Sequence, residues 1–264
     1  MKLLFKGCTD SEDIKILQEL LGITIDGDFG PNTFKLVKLF QEAAGLHADG
    51  IVGPATWGVL MGEIDCPYES RQIKKVYKDK GYVYKEGNLN LNITGIRNSK
   101  TKGRVTNHYD DWLTLTYNID GEQRYHCWPI TTDPGLHWIH HPLNNDGCAI
   151  LVPGQYDAYK IDKHRGKYDA LCQRAGKVKV YRDGDKDDVY DYDGDTITTG
   201  YYGINIHRSS AYKTTNYINK YSAGCQVFSD PDHFDDFMDI VKKSRAMGGN
   251  EVFTYTLVES KDII

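Results

Sequence analysis

The chain has 264 residues, enough for one large domain or two smaller ones, each with its own core. Its 40% hydrophobic and 26% charged residues suit a globular protein, and no apolar run approaches the ~18 residues of a bilayer span, so membrane insertion is not expected. Five lysines against ten carboxylates place the whole net charge of −5 in residues 1–65, and no basic stripe follows that would track a phosphate backbone, which excludes nucleic acid as the expected partner.

The opening MKLLFKGCTD holds three consecutive apolar residues, too few for the core of a secretion signal. A helix is predicted from about Ser11 to Leu21, with Ile14, Leu17, Leu20 and Leu21 on one face. A second is predicted from Pro31, with Phe34, Val37 and Phe40 inward, and a third from Pro54, carrying Trp57 and Leu60. The segments that precede the last two repeat each other. DGDFGPNTF begins at Asp26 and DGIVGPATW at Asp49, 23 residues later. In each, Asp-Gly makes a tight turn and Gly-Pro opens a helix, because proline at the first helical position gives up only an N–H that would lack a partner anyway. The paired DGxxGPxT turns over residues 10–62 resemble the peptidoglycan-binding module of many cell-wall hydrolases. That resemblance implies a three-helix bundle over 1–65 and bacterial peptidoglycan as the partner.

Residues 64–80 are polar and read as a linker ending in a helical turn; the linker is bounded here at 66–80. From Gly81 the composition shifts to tyrosine and to alternating runs. YVYK, LTLTYNI, KVKVYR and FTYTLVE are predicted strands, and a helix is predicted after Ser229-Asp230-Pro231, ending at Gly248-Gly249. The fold class is therefore α+β, with a helical N-terminal module and a mainly β domain over 81–264 that carries one late helix.

Six cysteines are present, none in a CxxC pair, and all are expected to be reduced thiols. His207 ends the alternating run GYYGINIH. Cys225 ends SAGC, where Gly224 permits a sharp turn. A cysteine nucleophile needs a base and backbone N–H groups facing the developing oxyanion. His207 offers the first, and the turn of Ser222, Ala223, Gly224 and Cys225 offers the N–H groups of its last three residues.

This pattern resembles L,D-transpeptidase catalytic domains, which carry a histidine at a strand end followed by Ser-His-Gly-Cys. The chain keeps His207, Ser222, Gly224 and Cys225. It has Ala223 for the second histidine, Arg208 for the small residue after the first, and Val227 for an arginine, so Arg208 is the expected replacement cation. TTDPG (131–135), ILVPGQY (150–156), KHRGKY (163–168) and GINIH…SAGCQVF together resemble phage-type lysin domains. By position in that set, His164 and Arg165 are candidates to line the cleft, with Tyr202 and His140.

Other constellations compete. Cys148 also follows a glycine and has His140 and His141 upstream, but CAILV reads as a buried strand. Cys127, beside His126, reads as a packed strand residue. His126, His137, His140 and His141 do not form an HExxH helix and have no accompanying acidic ligand, so zinc is not expected. DGDKDDVYDYDGD imitates a calcium loop at Asp183, Asp185 and Asp187. It places Asp188 where glycine is wanted and Gly194 where glutamate is wanted, so a solvated hairpin tip is expected.

The resemblance implies a monomeric cysteine-dependent peptidoglycan hydrolase of the phage lysin type that needs no cofactor or metal. It would be held in the host cytoplasm until released to the wall. A cross-linking transpeptidase and a non-catalytic wall-binding protein are the alternatives.

Overall fold

In a computed structural model, residues 4–9, 12–44, 46, 48–61 and 66–263 are described. The molecule is α+β and divides into two compact units, Met1–Pro67 and Tyr68–Ile264. No helix among the described residues is long and apolar enough to cross a membrane.

The first unit contains α1 (Glu12–Leu20), α2 (Pro31–Ala43) and α3 (Pro54–Met61). The predicted inward residues meet in its core. Ile14, Leu17, Leu21, Val37 and Trp57 are buried with Leu4, Phe29 and Val52, while Leu20, Phe34, Phe40 and Leu60 pack at its margin. The beginning of the first predicted helix at Ser11 lies outside the described residues.

The repeated turns are held by repeated buried locks. Nε2 of Gln18 donates to Asp26 Oδ1 at 2.6 Å and to the Asp28 carbonyl at 3.0 Å, and Oε1 accepts from Gly27 N at 2.8 Å. Gln41 does the same with Asp49 Oδ1 (3.1 Å), the Ile51 carbonyl (2.9 Å) and Gly50 N (2.8 Å). Thr33 and Thr56 close the two networks, donating to the same carbonyls at 3.2 and 3.3 Å. Every member is displaced by 23 positions. A buried amide left unsatisfied costs about 1–3 kcal/mol, so each glutamine stabilises its turn by supplying both a donor and an acceptor. The motif residues Asp, Gly and Thr are therefore parts of the turn's internal scaffold.

The second unit begins with α4 (Ser70–Lys80), which stops at Gly81 in the left-handed region, φ 69°. Its Ile73, Val76 and Tyr77 are buried with Ile96 and Val258, so most of the stretch expected as a linker is a packed part of this unit. Residues 82–85, expected as a strand, form none. Tyr82 and Tyr84 instead lie edge-on to Tyr77, at 6.1 and 5.5 Å between centroids.

The strands are β1 (Asn92–Arg97), β2 (Asp111–Ile119), β3 (Glu122–Thr131), β4 (Cys148–Leu151), β5 (Gly154–His164), β6 (Tyr168–Gln173), β7 (Val178–Asp183), β8 (Thr198–Gly200), β9 (Ile206–Arg208), β10 (Gln226–Phe228) and β11 (Phe253–Glu259). Eight close a barrel in the order β1-β11-β5-β6-β9-β10-β3-β2, and β4-β7-β8 form a separate sheet. The β9–β10 junction is parallel, pairing Gln226 with Ile206 and Val227 with His207.

A short helix, α5 (Leu136–His140), contains part of the histidine cluster, although no helical context was expected there. The late helix α6 (Pro231–Gly248) starts at proline after Asp230, whose side chain caps the Asp232 N–H. It ends at Gly249, φ 70°. Its Phe234, Phe237, Met238 and Val241 join Trp128 and Phe228 in the core.

The cysteines correct the expectation of six thiols. Cys66 and Cys127 are disulfide-bonded, and Cys8, Cys148, Cys172 and Cys225 are free.

Candidate active site

The parallel β9–β10 pairing governs the site's geometry. Cys225 immediately precedes β10, and Gln226 N donates to the Asn205 carbonyl at 2.9 Å, which sets Cys225 beside Asn205. His207 lies two residues beyond Asn205, on the same strand face by alternation.

The thiol sits between two backbone groups. Sγ of Cys225 accepts from Asn205 N and donates to the Gly203 carbonyl, both at 3.4 Å. Burial pushes this thiol above its ordinary value, while the Asn205 N–H and the charge of Arg165 pull it back. This thiol is therefore protonated at neutral pH.

His207 is buried and donates from Nδ1 to the Arg208 carbonyl at 2.8 Å. A carbonyl can only accept, so Nδ1 carries the proton and Nε2 keeps the basic lone pair. Burial, then the neighbouring His164, drives its pKa down to about 3. His164 stacks on it, ring centroids 4.1 Å apart and planes 23° apart, and is itself pushed down to about 4, chiefly by burial. Both imidazoles are neutral at physiological pH.

Asn205, which sequence reasoning did not single out, joins these groups. Its Oδ1 accepts from Gln173 N at 2.9 Å, which orients the amide so that Nδ2 donates to His164 Nδ1 at 3.2 Å. Its backbone N–H meets Cys225 Sγ. Gln173, also missed, is 1% exposed, and its Oε1 collects the N–H groups of Tyr202, Gly203 and Ile204 at 3.0, 2.9 and 3.2 Å. One buried amide thus fixes the loop that presents the Gly203 carbonyl to the thiol. The available signal was the polar-apolar alternation of Asn205-Ile206-His207, which puts Asn205 and His207 on one face.

The SAGC turn is held tightly. Ser222 Oγ donates to the Cys225 carbonyl at 2.8 Å and accepts from Gly224 N at 3.2 Å. That removes the Gly224 N–H from the expected oxyanion set; among the described residues the Ala223 and Cys225 N–H groups remain without an acceptor. Gly224 has φ +114°, and a Cβ there would run into the Ala149 carbonyl oxygen of β4, so both backbone shape and space demand glycine.

The other predicted residues are placed differently from one another. Arg165, at φ 49° in the turn after β5, contributes its charge to Cys225, His164 and His207, and Arg174 adds to it at His164. The side chain of Arg208 engages other groups. Strand alternation turns it to the face opposite His207, where it pairs with Asp235 at 2.8 Å and lies over the Tyr168 ring at 4.6 Å. Tyr202 contributes backbone to the Gln173 network while its ring lies under Arg182 at 4.7 Å. His140 pairs with Asp188 at 2.9 Å, and among the described residues no hydrogen bond or ring contact links it to Cys225 or His207.

Cys148 is buried and its thiol is pushed up to about 12 by burial and by Asp183. Its Sγ points at the Ala223 carbonyl, 4.0 Å away, as part of the turn's seat. His126 is stacked between Tyr117 and Trp128, a packed strand residue.

Residues 11–60 match the family described as "Putative peptidoglycan binding domain". No curated protein matches the chain. Among solved structures, a Burkholderia AP3 phage endolysin aligns at 31% identity over 29% of this chain and 32% of its own, TM-score 0.24, so the match spans about a third of the endolysin's length. An L,D-transpeptidase from Xylanimonas cellulosilytica aligns at 18% identity over 98% of both chains, TM-score 0.25. A fused Zn-dependent amidase/peptidase/peptidoglycan-binding protein from Clostridium acetobutylicum aligns at 13% identity over 97% of this chain and 99% of its own, TM-score 0.25.

Proposed function

We propose that the chain is a cysteine-dependent peptidoglycan hydrolase that cleaves stem or cross-bridge peptides through a thioester. The observation that carries this reading is the placement of Cys225 Sγ between Asn205 N–H and the Gly203 carbonyl, on a glycine-requiring turn, with the Asn205 side chain bonded to the His164 ring that stacks on His207. The match of residues 11–60 to a peptidoglycan-binding family supports the substrate class.

In the proposed reaction, His207 Nε2 takes the thiol proton as Sγ attacks a peptide carbonyl carbon. An S–C bond forms, and the carbonyl oxygen becomes an oxyanion facing the Ala223 and Cys225 N–H groups. The C–N bond then breaks and the imidazolium returns the proton to the leaving amine. Water, deprotonated by the same nitrogen, attacks the thioester; the S–C bond breaks and the thiol is restored. Mass spectrometry of purified muropeptides incubated with the protein tests this. Products bearing one new amine and one new carboxyl group are expected; cross-linked products would establish a transpeptidase instead, and unchanged muropeptides a non-catalytic wall binder.

The module of residues 1–65 is expected to retain purified cell walls by itself. Because it carries −5, its binding should survive moderate salt, unlike attraction carried by exposed charge. A pull-down with insoluble peptidoglycan reads this directly, and retention no greater than that of a control protein sinks the wall-binding role.

Turnover is expected to persist in EDTA, since thiol and imidazole supply nucleophile and base without a metal-bound water. Iodoacetamide should abolish it, faster as pH rises, because alkylation needs the thiolate that burial disfavours. Activity lost in EDTA and restored by zinc, but not by calcium, would overturn the cysteine mechanism.

A further inference from the structure

The end of β7 holds a group of carboxylates that the proposed chemistry does not use. One carboxylate oxygen from each of Asp183, Asp185 and Asp191 lies within 4.8 Å of the others. Exposed acidic clusters are common, but Asp183 is not exposed: its relative accessibility is 0%. Its Oδ2 accepts from Asp191 N at 3.2 Å, which folds the loop back on itself, and its Oδ1 has no hydrogen-bond partner among the described residues. No ion pair among the described residues engages any of the three. A buried carboxylate with one oxygen unpaired, facing two more carboxylates, is an unfavourable arrangement unless a cation completes it.

We propose that Asp183, Asp185 and Asp191 bind a calcium ion. The donors are all hard oxygens, with no nitrogen or sulfur among them, which selects calcium, magnesium or manganese over zinc or copper. Calcium–oxygen bonds of about 2.3–2.6 Å allow ligands on opposite sides of one ion to stand up to about 5 Å apart, so the three oxygens fit around a single centre. The site is open to water on the side of Asp185, which suits an ion with six to eight ligands. The sequence template for a calcium loop misses this set because it takes Asp187 as the third ligand. In the structure Asp187 Oδ1 accepts from Val189 N at 2.7 Å, and the third carboxylate comes from Asp191, brought back by its own N–H bond to Asp183.

The location gives the ion a structural task. Asp183 pairs with Cys148 across the β4–β7 ladder, and a Cβ on Gly147 would collide with the Asp183 carbonyl. Cys148 Sγ in turn reaches the Ala223 carbonyl, and the next residue of β4, Ala149, supplies the carbonyl that leaves Gly224 no room for a side chain. A cation at Asp183 therefore fastens the 183–191 loop to the strand on which the SAGC turn rests.

The test uses the full chain and thermal unfolding. With a dissociation constant of about 0.1–1 mM, about 10 mM CaCl2 should raise the Tm of the unit that contains the site by about 3 °C or more. Terbium, a calcium mimic, should show luminescence sensitised by the flanking Tyr190 and Tyr192. Both signals should vanish in the double variant Asp185→Asn/Asp191→Asn, which leaves the buried Asp183 in place so that the fold is retained. Absence of both signals in the unaltered chain overturns the proposal. So does an equal shift in the double variant, or an equal shift from NaCl at matched ionic strength, which would be screening of repulsion. An equal shift from MgCl2 overturns the assignment to calcium.

Discussion

Cys225→Ala should leave no turnover, a loss of at least ~10⁴-fold, while wall binding and thermal unfolding stay as in the unaltered chain. The sulfur makes only two long hydrogen bonds, 3.4 Å each, both with backbone groups that other residues already hold in place. Removing it takes away the nucleophile and little packing. Cys148→Ala is the paired control. Its thiol is pushed up to about 12 and faces the back of the turn, so most activity should remain, with some loss of stability from the buried volume removed. Muropeptide release assayed on both variants decides between the two cysteines: an active Cys225→Ala with a dead Cys148→Ala reverses the assignment.

His207→Ala should lower kcat/KM by about 100-fold or more, the range for a lost general base. The pH profile separates this role from a merely structural one. A histidine acts as a base only when neutral, and His207, at about 3, is neutral above that value. The Cys225 thiol, raised by burial, stays protonated through neutrality. The activity of the unaltered chain should therefore be flat from about pH 5 to 8, with no inflection near the ordinary histidine value of about 6.5. In the variant only preformed thiolate can attack, so the residual rate should climb about tenfold per pH unit over the same range. An inflection near 6.5 in the unaltered chain would mean a solvated histidine or a resting thiolate–imidazolium pair.

The proposed nucleophile and base were legible as candidates because both stand at the ends of strand-like runs: Cys225 before Gln226-Val227-Phe228, and His207 after Ile204-Asn205-Ile206. The Asn205–Gln173 support was not. A buried amide reads as a surface residue until its partners are known, and those partners are backbone groups up to 32 positions away and, for Asn205, the His164 ring 41 positions away. Strand β1 was missed for a related reason. All six residues of NITGIR are buried, but Asn92, Thr94 and Arg97 are satisfied by the Lys85 backbone, the Tyr77 hydroxyl, and the Thr132 and Leu151 carbonyls. A strand covered on both faces shows no alternation, and paired polar residues erase its hydrophobic run as well. The pairing of Arg208 with Asp235 was not foreseen, because neighbours along a strand face opposite sides.

The twin glutamine locks of the first unit also create a hazard. Gln18 and Gln41 present the same amide to loops with the same backbone and the same Asp, Gly and Thr, so polar chemistry alone would let either helix lock either loop during folding. The two loops differ in their apolar surroundings. The Phe34 ring occupies the space a Cβ on Gly50 would need, whereas Gly27 is covered only by the aliphatic stem of Lys15, at 3.4 Å. Each glutamine lies only 8 to 10 positions from its own loop, so short-range closure favours the correct pairing over the crossed one.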